Sequence, residues 1–136
     1  MKTLLTLLIL SSCLTVTAQH DKLIGTWTGE DQGEVGSVIF DAEGYCAFVI
    51  AGELMGGKEF ELDGEMGSMS YILEGEEEPI KVTMTMTKLA SGDSVNMYGL
   101  IRFKDPDTIE FALGSPGRPV TAFTAENSII LKRESE

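Results

Sequence analysis

Strict alternation of apolar and polar residues restricts this chain more than any other feature. Between Pro79 and Lys88, the apolar Ile80, Val82, Met84 and Met86 alternate with Lys81, Thr83, Thr85 and Thr87. Successive side chains on a strand point to opposite faces, so this run predicts a strand with one dry and one wet side. The same rhythm returns in Val95, Met97, Ile101 and Phe103 (interrupted by Gly99), in Ile109, Phe111 and Leu113, and in Met69, Tyr71 and Leu73. Cys46, Phe48 and Ile50 share a face in a further run. No segment sustains a helical period, although residues 121–128 have room for one helical turn.

Turn-forming residues separate the runs: Asp41 to Gly44, Leu89 to Asp93, and Lys104 to Asp107. About eight to nine short strands in hairpin order are expected from this punctuation. An antiparallel meander of that length either splits into a sandwich or closes on itself, and closure removes exposed edges. The expected fold is all-β, a single up-and-down antiparallel barrel.

The first eighteen residues read as a leader rather than as fold. Lys2 precedes an apolar stretch from Leu4 to Leu10, and Val16-Thr17-Ala18 suits cleavage. The stretch is shorter than the roughly 20 residues a helix needs to span a bilayer. Residues 1–18 are therefore expected to be a signal peptide and residues 19–136 the barrel domain, outside the cytoplasm. Leu10-Ser11-Ser12-Cys13 also resembles the lipobox of bacterial lipoproteins, so an outer-membrane anchor at Cys13 is the alternative. In neither case is stable membrane insertion expected.

A formal net charge of -12 disfavours nucleic acid as a partner. Glu74, Glu76, Glu77 and Glu78 crowd a turn ended by Pro79, without the spacing of a calcium loop. Loss or lipidation of Cys13 leaves Cys46 without an intramolecular partner, so it reads as a small buried hydrophobe. The sole histidine, His20, lies before the alternating region. That placement argues against histidine-based triads and against histidine-ligated zinc or haem. The segment Ala51 to Gly57 lacks the frame and the Lys-Ser/Thr ending of a phosphate loop. No catalytic residue, metal ligand or cofactor is expected.

Leu23-Ile24-Gly25-Thr26-Trp27 resembles the opening signature of lipocalins, in particular of small bacterial secreted lipocalin-like domains. The C-terminal half is similar in its order of parts: Gly99, Asp107-Thr108-Ile109, Arg118-Pro119, Phe123 and Leu131-Lys132-Arg133. The resemblance implies that Trp27 plugs the closed end of a barrel beneath an arginine, Arg133 or Arg118, with Arg133 preferred because it ends the last strand. Gly25 would let the neighbouring chain approach.

The resemblance inclines the reading towards ligand binding, and any ligand site is expected away from that signature, on the methionine-rich strands. The inward face would be lined by Phe48, Met69, Tyr71, Met84, Met86, Met97 and Phe111, under a lip formed by Ala51 to Gly57. The expected partner is a small apolar molecule. The competing expectation is a side-chain-filled barrel serving as an interaction module, since about eight strands enclose a lumen that side chains can just fill.

Overall fold

Each alternating run becomes a strand paired antiparallel with its neighbours along the chain. The computed structural model describes residues 21–31, 33–75 and 77–134. The leader, Cys13, His20, Glu76 and the domain boundary expected at Gln19 lie outside the described residues. A helical turn at 21–23 leads into β1 (Gly25–Asp31), β2 (Glu34–Phe40), β3 (Cys46–Ile50), β4 (Glu53–Gly56) and β5 (Phe60–Leu62). Then follow β6 (Glu65–Glu74), β7 (Ile80–Lys88), β8 (Ser94–Asp105), β9 (Thr108–Leu113) and β10 (Ser128–Arg133).

The sheet order is β4-β3-β2-β1-β10-β9-β8-β7-β6-β5, so sequence neighbours are sheet neighbours and β1 closes against β10. This is a nearly closed, lipocalin-like up-and-down barrel of ten strands, against the eight to nine that alternation predicts. The difference lies in the glycine-rich stretch taken as a lip, which contains β4 and leads to β5. Strands of four and three residues are too short to announce themselves by period. The expected room for a helical turn near residue 124 is taken by a turn, in which Asn127 and Thr124 exchange bonds of 2.8 and 3.1 Å.

The remaining seam runs between β3–β4 and β5–β6 and closes only in its lower part. There Tyr71 N–H donates to Gly44 O at 2.9 Å, and Met69 N–H donates to Gly57 O at 2.8 Å. Gly57 N–H in turn donates to Cys46 O at 2.8 Å, and Tyr45 bridges Ser70. Above Gly57 the two hairpins part, leaving β4 and β5 as the two ends of the sheet order. Their mouth-side turns are tight: Ala51 and Asp63 hold φ of 53°, each followed by a glycine with φ near 80°. Paired positive φ values match the twist of a two-residue hairpin.

The barrel has two unlike ends. The floor carries Trp27, the Asp41–Tyr45 turn and the Pro106–Asp107 turn. The mouth carries the β3–β4, β5–β6 and β7–β8 turns. After β9 the chain doubles back over the outer wall, where Pro119–Thr121 flank Leu100. That cover accounts for the burial of the outward-pointing Leu100; Ala112, directly opposite it in the β8–β9 ladder, is buried as well. Arg102, on the same outer wall, stacks on Phe123 at 4.7 Å and pairs with Glu110.

Candidate functional site

The interior changes character from floor to mouth. At the floor Trp27 is completely buried, and its indole N–H donates to Leu23 O at 2.8 Å. The Phe103 ring meets it edge-on at 6.1 Å. Across the β1–β10 pair, Trp27 stands opposite Arg133, whose guanidinium carbon sits 4.2 Å from the indole centroid. That guanidinium also donates to Ile24 O at 2.7 Å, to Lys22 O, and to Asp107 Oδ1 at 3.2 Å. Arg118 is exposed in the β9–β10 loop, its backbone N–H bonded to Ser115 O at 3.0 Å.

Gly25 explains its own presence. A Cβ there would stand 2.9 Å from Arg133 Nη1, and the backbone holds φ of 137°. Both facts exclude a side chain where the guanidinium must pass to reach the carbonyls before β1. A cavity of about 490 Å³ lies at the floor rim, between Lys22, Glu78, Phe103 and Asp107. Of its charged side chains, Asp107 pairs with Arg133, Lys104 stands 4.0 Å from Glu110, and Glu78 accepts from Phe103 N–H at 3.1 Å.

In the middle of the barrel, side chains fill the space. Met84 is 0 % exposed and joins Met69, Tyr71, Phe111, Ile101 and Ile109 in one core. Of the seven residues expected to line a pocket, Met69, Tyr71, Met84 and Phe111 therefore lie within packed core. Phe48, Met86 and Met97 are partly buried at its edge, together with Phe60, Leu113 and Ile129. All seven face inward by register: Val38 opposes Phe48, Tyr71 opposes Met84, Met84 opposes Met97, and Ile101 opposes Phe111.

Toward the mouth the inward register carries apolar residues together with Glu53, Glu65 and Lys88, and it loses its cover. Ile50 (49 % exposed), Met55 (37 %), Leu62 (39 %) and Val95 (49 %) continue the inward register of β3, β4, β5 and β8. Val95 lies opposite Met86, one step above Met97, and Ile50 lies opposite Gly36, which contributes no side chain. A Cβ added at Gly36 would find nothing nearer than 3.6 Å. These four were not singled out as ligand-lining residues. Ile50 and Val95 are legible as inward-facing from alternation, whereas Met55 and Leu62 sit in the two short strands.

The reactive groups in the wall are quenched. Cys46 lies between Phe40 and the seam, its thiol bonded to Ser70 O at 3.7 Å. Burial, and then the negative charge of Asp41, push this thiol up to about 12. Burial, then Asp41, then Cys46 push the Tyr71 hydroxyl, which donates to Asp41 O at 2.9 Å, to about 12 as well. Both groups ionise more readily in the unfolded chain, so the unfolded state binds fewer protons once pH passes the ordinary thiol range near 8.5. Stability is full below that point and falls as pH rises from about 9 towards 12. Urea midpoints measured between pH 7 and 11 should decline on the alkaline side, and Cys46→Ala should flatten the first part of that decline.

Among the described residues no group of three or more His, Cys, Asp or Glu side chains is placed to hold a metal ion. No helix among the described residues is long and apolar enough to cross a membrane. Comparison with protein-family models, with curated proteins and with solved structures finds no match to this chain.

Proposed function

We propose that this chain is an extracytoplasmic, lipocalin-like binding protein that holds a small apolar molecule at the mouth of its barrel and performs no chemistry on it. One observation carries the reading. The inward-facing apolar register does not end where packing ends, but continues through Ile50, Met55, Leu62 and Val95 into the open. Single exposed apolar residues are ordinary, but apolar residues gathered on one inward face around an opening mark a ligand or interaction site. The packed level at Met84 and Met69 makes the site shallow, with Met86, Met97 and Phe48 as its base. Methionine suits that base because its unbranched thioether adapts to varied apolar shapes. The Gly25–Trp27 opening, which resembles that of small bacterial lipocalin-like domains, supports the same reading.

The same reading takes residues 1–18 as a removed leader, or Cys13 as a lipid anchor; the mass of the mature N-terminus separates the two. The second reading, a filled barrel acting as an interaction module, is favoured by the packing around Met84. A neutral fluorescent probe such as N-phenyl-1-naphthylamine decides between them. Enhanced, saturable fluorescence, with a co-purifying apolar molecule in native mass spectra of protein from its own cell envelope, is the expected result. A clean apo mass together with no probe fluorescence would support the module.

A further inference from the structure

We propose that the mouth discriminates by head-group charge, taking amphiphiles with a cationic or neutral head in preference to those with a carboxylate, and seats the alkyl chain in the split between β4 and β5. This rests on the reading of the mouth as a ligand site and adds to it the class of ligand.

The split supplies the place for the chain. Hydrogen bonding across the seam stops at Gly57, and above it β4 and β5 part with apolar residues on both lips. Met55 and Ile50 stand on one side, Phe60 and Leu62 on the other, all in the inward register. Four residues of β4 give a slot roughly 13 Å long. An elongated apolar group matches that shape better than a compact one, because the barrel beneath the slot is already full at Met69 and Met84.

Charge supplies the selectivity. Glu53 lies opposite Ile50 in the ladder, and Glu65 lies opposite Leu62. Each lip therefore sets a carboxylate beside its outermost apolar residue. Asp63 and Asp93, in neighbouring turns of the mouth, are exposed as well. Lys88, which ends β7, pairs with Glu65 at 3.4 Å and offsets that carboxylate, so the surplus negative charge at the lips rests on Glu53, Asp63 and Asp93; Arg118 lies out in the β9–β10 loop. Lys58 lies at the lower end of the slot, in the β4–β5 connection beside Glu59, and Lys22, Lys104 and Arg133 gather around the floor cavity. A ligand head emerging from the slot thus meets an excess of negative charge. Each exposed carboxylate acts weakly alone, but several around one apolar opening add their fields.

Matched amphiphiles test this on the mature protein. Dodecyltrimethylammonium and dodecanoate, both kept below micelle formation, compete against bound N-phenyl-1-naphthylamine. At an ionic strength of about 10 mM the cation should displace the probe at roughly tenfold lower concentration, and at about 0.5 M salt the gap should shrink to less than about threefold. The double variant Glu53→Gln/Glu65→Gln should lose most of the low-salt preference while binding the neutral probe as the wild type does. Equal displacement by the two heads, or preference for dodecanoate, overturns the charge selectivity and leaves the apolar site standing. Absence of any probe binding overturns both.

Discussion

Replacing Trp27 with alanine should destabilise the barrel by about 3–5 kcal/mol, the range for deleting a buried large aromatic. The residue is wholly buried, and its loss removes the indole bond to Leu23 O, the edge contact with Phe103 and the surface on which Arg133 rests. The cavity left behind would sit where β1, β10 and the helical turn at 21–23 converge. Trp27→Phe keeps the ring but leaves Leu23 O without its indole donor, so it should cost less, about 1–3 kcal/mol. Urea denaturation of the two variants gives the comparison. A change below about 1 kcal/mol for the alanine variant would mean that Trp27 does not seal the floor.

Arg133→Ala should follow closely, at about 2–4 kcal/mol. Hydrogen bonds from a charged donor contribute about 1.5–3 kcal/mol, and a cation over an aromatic face about 0.5–2 kcal/mol. These overlap rather than add, because one guanidinium makes all of them. Its contacts tie three places together: the carbonyls of Lys22 and Ile24 before β1, the indole of Trp27, and Asp107 in the β8–β9 turn. Arg133→Lys keeps the charge but loses the planar fork, so it should recover less than half of the loss. A double-mutant cycle with Trp27→Ala should show coupling of about 1 kcal/mol or more, since the two groups touch. Additive losses would separate the arginine from the indole.

The floor was the part of the molecule most legible in the sequence, for a physical reason. Gly25, Trp27 and Arg133 each meet a demand that few residue types satisfy: an absent Cβ, a large plug with one donor, and a flat cation. The strands of the wall were legible because one side of each is dry. Alternation tells which way a side chain points but not the level at which it sits. Met84 and Met86 alternate identically, yet Met84 is sealed in the core and Met86 lies at its edge. Level depends on how the strands are staggered, which no single run encodes.

Other features were hidden for related reasons. β4 and β5 are too short to show a period, so the split between them could not be seen. Leu100 belongs to the wet side of its strand and is buried where Pro119–Thr121 of the β9–β10 loop return beside it. Phe123 was recognisable as part of a motif, but its partner Arg102 was not, because the contact joins a loop to an outer wall.

Methionine methyl NMR tests the central claim most directly, since the methyl groups mark successive levels of the barrel. Addition of N-phenyl-1-naphthylamine to the mature protein, labelled at the methionine methyls, should shift Met55, Met86 and Met97, which line or underlie the mouth. Met84, sealed in the core, should move little. Saturable shifts in that pattern are the predicted result. Unmoved methyls throughout, or shifts confined to the outward-facing Met66, would contradict a ligand site at the mouth of this barrel.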